Sequence, residues 1–224
     1  MFFSREIRLT ISKLLKQFFF PYQPVSRLFG CDRGSPIDRF YIEEFLRKNR
    51  NLIRGNILEI AENTYTTKFA NSPYCSNILH AEAGNPQATI VGNLETGENI
   101  PQNAYDCIIL TQTLPFIYDI KNAVKYCRQA LKSGGYILAT VNGISQISRY
   151  DSDRWGDYWR FTEQSARRLF EDEFGVGKVN IAVYGNYYAA KCFLSGLAQE
   201  DINLKHLNKV DPDYPLIIGI LAIK

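Results

Sequence analysis

Hydrophobic spacing along the chain changes at Gly55. Before that point apolar residues recur at helical intervals; after it, short apolar runs alternate with helical stretches. Ile7, Ile11, Leu14, Leu15 and Phe18 mark a first amphipathic helix with basic residues between them, ended by Pro21 and Pro24. The loop "FGCDRGSPIDRF" then opens a second helix, with Ser35 as N-cap and Pro36 at the first helical position. Ile42, Phe45 and Leu46 form its apolar face. Beyond Gly55 the pattern predicts strands over 57–61, 77–81, 88–92 and 105–111. The run "YDCIILT" at 105–111 is nearly all apolar, as expected when helices cover both faces of a strand. A helix over 119–131 follows from Ile120, Ala123, Val124, Cys127 and Leu131, and "KSGG" is expected to stop it with Gly134 and Gly135 as its left-handed cap. Then come a strand at 136–141, a helix at 163–174, a strand at 179–184, a helical segment near 189–199 and a last strand in "PLIIGILAIK".

This alternation predicts an α/β fold: a doubly wound, seven-stranded, mostly parallel sheet with helices on both faces. The long excursion before the final apolar run makes the C-terminal strand antiparallel, inserted at one edge. Residues 1–50 read as a helical extension and 51–224 as the sheet domain, together one domain. Ligands of such sheets bind at the carboxyl ends of the strands, where strand order switches. That rule selects the ends of the first, second and fourth strands.

Composition narrows the picture. At 224 residues, 46% hydrophobic and 22% charged, the chain has the make-up of a globular domain with a full core. A formal charge of +3 without a dense basic stripe predicts no nucleic-acid partner. Five scattered cysteines, never spaced C-x-x-C, predict no metal site and no disulfide framework. The expectation is a cytoplasmic protein with reduced, mostly buried thiols. Charges at Arg5, Glu6, Arg8, Lys13 and Lys16 rule out an uninterrupted apolar span in the first helix. That helix suits peripheral contact with an anionic membrane, or docking on its own domain or on a second copy, and the oligomeric state is not fixed by the pattern.

Four stretches carry a family resemblance: "ILEIAEN", "LHAEAGNP", "IVGNLETGENIPQNAYDCIILTQTLPFI" and "CRQALKSGGYILATV". Together they resemble a class I S-adenosylmethionine-dependent methyltransferase of the type 11 kind, with a Rossmann-like fold. The later "DRWGDYWRFTEQSARRLF" is similar to methyltransferases that accompany glycosyltransferases in bacterial surface-polysaccharide pathways. The resemblance implies S-adenosyl-L-methionine as cofactor. It implies that Glu59 and the backbone of Ala61, Glu62 and Asn63 face the methionine part, that Glu82 accepts from the ribose hydroxyls, and that Asn93 and Leu94 meet adenine. Thr111 and Gln112 would line the floor beneath the transferred methyl. The family's first motif runs acid-x-Gly-x-Gly-x-Gly, and this chain places Ala61, Asn63 and Tyr65 at the glycine positions. A left-handed non-glycine residue costs roughly 1–2 kcal/mol, so such a turn is strained or reshaped, not abolished. A Tyr65 ring lying in the cleft would leave the architecture without the enzyme.

Methyl transfer to oxygen or nitrogen needs alignment above all, and a hydroxyl acceptor gains from a nearby base. Of the two histidines, His80 lies inside a strand and reads as a core residue, and His206 sits in a polar linker. The segment "NGISQISRYDSDRWGDYWRFT" is richer. Tyr150, Arg154, Trp155, Tyr158, Trp159 and Arg160 suit a small-molecule or glycan substrate, with Asp153 or Asp157 as base. A sugar hydroxyl is the acceptor this loop suggests. The same residues equally suit packing of the loop, Glu59 and Glu82 ordinary loop-edge acids, Asn93 a turn. The alternative function is a non-catalytic methyltransferase-like binding or scaffolding protein.

Overall fold

A computed structural model describes residues 22–224, and the helix read near the N-terminus lies outside the described residues. Strands β1 (Gly55–Ile60), β2 (Tyr74–His80), β3 (Ile90–Val91), β4 (Tyr105–Thr111), β5 (Leu131–Asn142), β6 (Val179–Tyr184) and β7 (Ile217–Ile223) form one seven-stranded sheet. Its order is β3-β2-β1-β4-β5-β7-β6. The β1–β2, β1–β4, β2–β3 and β4–β5 pairs are parallel, and β7 runs antiparallel between β5 and β6. The expected α/β architecture holds, with the antiparallel C-terminal strand one place in from the edge.

Helices α1 (Ile37–Lys48), α2 (Thr64–Phe69), α3 (Ile120–Ala130), α4 (Arg149–Ser152), α5 (Glu163–Phe174) and α6 (Tyr187–Leu194) surround the sheet. Period-two alternation sends successive strand residues to opposite faces. Leu58, Ile108, Leu110 and Ile137 pack with Val124 and Cys127 of α3 and Phe170 of α5. Ile57, Cys107, Ile109 and Leu138 pack on the other side with Ile42, Phe45 and Leu46 of α1 and Phe193 of α6. The α1 helix therefore shares the core of the sheet.

Three local expectations need correcting. Pro36, with φ −54° and ψ 146°, is itself the cap of α1 and Ile37 the first helical residue. Ser35 is drawn instead into pairing with the chain's C-terminal third: its N–H donates to Glu200 and its carbonyl accepts from Gln199. The glycines of "KSGG" do not cap α3. The helix ends at Ala130 because Leu131, fully buried, is already extended and paired opposite Tyr105. Gly134, at φ +74°, serves a bend within β5. Finally α6 stops at Leu194, and Gly196 at φ +71° reverses the chain where a Cβ would collide with the Ser26 carbonyl.

That reversal belongs to a seam holding the segment before α1 in place. Val25 N–H donates to the Ser195 carbonyl at 2.8 Å, and Arg33 makes a two-pronged bond to Asp201 at 2.7 and 2.8 Å. At the other end of α1, Phe45 lies on Gly219 of β7, where a Cβ would come within 2.5 Å of the ring. Gly219→Ala should lower stability by about 1–3 kcal/mol through overpacking, read as an earlier urea midpoint.

Candidate active site

The carboxyl ends of β1, β2 and β4 open on a cleft of about 690 Å³. This lies within the range usual for small-molecule sites. Its shape depends on the turn after β1. Ala61 takes the left-handed conformation, φ +70°, that a glycine would favour. Its N–H donates to the Leu79 carbonyl at 2.8 Å, and its own carbonyl accepts from Asn85 Nδ2 at 2.8 Å. Glu59, 2% exposed, accepts from the Tyr65 N–H at 3.0 Å on one oxygen and from the Thr66 N–H at 2.7 Å on the other. Burial raises the pKa of this carboxyl against the pull of those N–H groups. Glu59 thus ties the start of α2 to β1, both oxygens engaged, while lying on the cleft lining.

Tyr65 follows from that tie. It is 8% exposed, belongs to the α1-side core and stacks on Phe69 at 6.4 Å. Burial pushes its phenol up to about 12. The ring reaches the cleft only as part of its wall and does not fill it.

Of the remaining cofactor-site residues, Ala61, Glu62, Asn93, Leu94, Thr111 and Gln112 all line the cleft, and Asn63 and Glu82 do not. Asn63 is the residue before α2 and accepts the Thr67 N–H through its carbonyl. Glu82 stands beyond the end of β2, exposed in the turn. The wall there is His80, which is half-buried and so not the core residue its position suggested. Its Nδ1 lies 2.8 Å from the Glu82 carbonyl oxygen, and its ring meets Trp155 edge-on at 6.1 Å. Asn93 both lines the cleft and closes a turn, accepting from the Glu95 N–H at 2.7 Å. Gln112, at φ +49°, is pinned to Thr140 through N–H to carbonyl at 2.8 Å and Nε2 to Oγ1 at 3.2 Å.

The loop after β5 divides into two parts. Tyr150, Asp151, Arg154 and Trp155 face the cleft, with the Arg154 guanidinium 3.7 Å over the Tyr150 ring. Tyr158, Trp159 and Arg160 instead fasten the loop. The Tyr158 hydroxyl donates to the Trp155 carbonyl, Trp159 Nε1 to the Ile117 carbonyl, and Arg160 to the Gln146 carbonyl and Asp157.

Neither acid singled out as base lies on the cleft lining. Asp153 is exposed at the end of α4. The Asp157 side chain is 1% exposed and bonded to Arg160 at 2.5 and 3.0 Å and to the Ser148 N–H at 3.0 Å. Burial raises its pKa, but Arg160 and the Ser148 N–H outweigh that and hold it below the ordinary value. The acid of this loop on the lining is Asp151, which accepts from Ser148 Oγ at 2.5 Å.

One wall was not foreseen. Asp38, Arg39 and Ile42 of α1 close the side of the cleft next to β1. Their i, i+1, i+4 spacing was visible, but nothing local says that α1 crosses the sheet to reach the strand ends. Among the described residues no group of three or more His, Cys, Asp or Glu is placed to hold a metal ion. The five cysteines are free, with Cys31 and Cys75 exposed.

Residues 54–139 match the family described as "Methyltransferase domain". That stretch, somewhat over a third of the chain, is thus similar to a methyltransferase domain. The fold as a whole is similar to those of solved methyltransferase structures. Similar folds include a SAM-dependent methyltransferase from Archaeoglobus fulgidus, 12% identical, covering 95% of this chain and 99% of that one, with a TM-score of 0.53. A SAM-dependent methyltransferase from Mesorhizobium loti is 12% identical over 84% of this chain and 98% of that chain, TM-score 0.53. A Haemonchus contortus phosphoethanolamine N-methyltransferase, solved with phosphomonomethylethanolamine and S-adenosylhomocysteine, is 12% identical over 94% of this chain and 56% of that one, TM-score 0.52. At these identities the likeness is one of fold. The sequence matches none of the curated proteins.

The left-handed Ala61 can be tested in two directions. Ala61→Gly should raise stability by up to about 1 kcal/mol by removing left-handed strain, partly offset by glycine's greater unfolded-state entropy. Ala61→Val should lower it, because a β-branched side chain tolerates this conformation less well. Urea unfolding of both variants reads the difference.

Proposed function

We propose that the protein is an S-adenosylmethionine-dependent methyltransferase acting on a small polar acceptor, a sugar hydroxyl being the class that its loop fits best. The observation carrying this reading is the turn after β1: Ala61 adopts the glycine-like conformation and Tyr65 stays in the core, so the cleft is open. The cofactor fits the residues present. Ile60, Leu79 and Leu94 offer apolar walls for a flat base, Asn93 and His80 polar edges, and Glu62, Thr111 and Gln112 a polar floor.

Bound S-adenosylmethionine supplies an electrophilic methyl on a sulfonium. The chain's own contribution is to hold and orient an acceptor against it. Tyr150 and Trp155 present flat faces suited to the apolar side of a sugar ring, and Arg154 a guanidinium suited to phosphate or carboxylate. Asp151 is the acid placed to accept a hydroxyl proton, its other partner being the Ser148 hydroxyl. This reading supports a small-molecule or glycan partner. Among the described residues no helix is long and apolar enough to cross a membrane.

Two measurements test it. Calorimetric titration with S-adenosylhomocysteine should show saturable binding, and no heat at millimolar ligand would overturn the assignment. Once an acceptor is found among nucleotide sugars or glycans, Asp151→Asn should reduce turnover by about 10²–10⁴-fold, as loss of a general base does, with S-adenosylhomocysteine affinity unchanged.

A further inference from the structure

Resting on the cofactor reading above, we infer that Asp38 and Arg39 of α1 form the site for the amino-acid end of the cofactor, Asp38 for its ammonium and Arg39 for its carboxylate. Both lie outside the matched segment 54–139. The need for such a site follows from Glu59. That acid was the group expected to face the methionine part, but its two oxygens are taken by the Tyr65 and Thr66 N–H groups. A zwitterion at this end of the cleft must therefore find its partners elsewhere.

Beside Glu59, Ala61, Glu62 and Tyr65, the cleft is closed by Asp38, Arg39 and Ile42. Asp38 uses Oδ1 to accept the Arg39 N–H at 2.8 Å, and no other hydrogen bond to it is formed among the described residues. The Arg39 guanidinium likewise makes no hydrogen bond or ion pair among them, and the two side chains are not paired with each other. An acid and a base next to each other, both uncommitted and both on the wall by β1, match the opposite charges of an α-amino acid. Burial raises the Asp38 carboxyl to about 6, with the Arg39 N–H and guanidinium pulling it back down. The other acid of this wall, Glu62, is exposed beyond the turn and has no cation beside it in the sequence.

The function of this pair is discrimination. A nucleoside thioether without the amino-acid part offers the same base and ribose to the rest of the cleft but nothing to α1. Calorimetry with S-adenosylhomocysteine and with 5′-methylthioadenosine separates the two contributions. For Asp38→Asn and Arg39→Gln, S-adenosylhomocysteine affinity should fall at least about ten-fold, the loss of roughly 1.4 kcal/mol. Affinity for 5′-methylthioadenosine should stay within about two-fold of the wild type. That second ligand also reports that each variant is folded. If both ligands weaken together, or if S-adenosylhomocysteine is unaffected, the α1 assignment is wrong while the methyltransferase reading stands. A wild-type protein that binds neither ligand would overturn both.

Discussion

The site is organised around one buried carboxylate. Glu59 sits at the end of β1, where a charged side chain has almost no water, and is held there by two backbone N–H groups from the first turn of α2. Those N–H groups have no partner within the helix, so the bond resolves two problems together: orphan donors at a helix start and an acid without solvent. It also fixes where α2 begins, and so how tightly the chain must turn between Ile60 and Thr64. The left-handed Ala61 is the strained residue that this tight turn demands. The missing glycines are therefore replaced by a hydrogen-bonding constraint, and the cleft survives.

The same constraint explains what was legible in the sequence. The expected bounds 105–111, 163–174 and 179–184 match the structure to the residue, each being an apolar-rich segment that packs at least partly into the core. The α2 helix was not visible. "TYTTKF" carries three β-branched threonines and no 3.6-residue stripe, and it is helical because Glu59 holds its start and Tyr65 and Phe69 pack inward. The caps of α1 and α3 were misplaced for a related reason. Ser35 and Leu131 are claimed by partners far along the chain, and a local signal loses to a tertiary one.

At the cleft, sequence position indicated the strand ends but not which side chains face inward. Six of the nine cofactor-site residues read from the sequence lie both on the lining and free of the Glu59 tie: Ala61, Glu62, Asn93, Leu94, Thr111 and Gln112. In the aromatic loop, one part lies on the cleft and another fastens the loop in place. Tyr150, Asp151, Arg154 and Trp155 form a wall, and Asp157 to Arg160 fasten the loop behind it through a half-buried ion pair and the Trp159 indole. Such a division is common in loops that must be both exposed and well positioned. Asp151, the acid of this loop on the cleft, takes no part in that ion pair.

The placement of β7 has a consequence for the order of assembly. β7 follows the other six strands in the sequence yet sits inside the sheet, and Phe45 of α1 rests on Gly219 within it. Contacts this distant in sequence form late. During synthesis β1, β4 and β5 can already receive α1 on Ile57, Cys107, Ile109 and Leu138, but the part of its seat that Gly219 supplies is missing until β7 emerges. Until then Asp38 and Arg39, which wall the cleft, stand on a helix only partly seated.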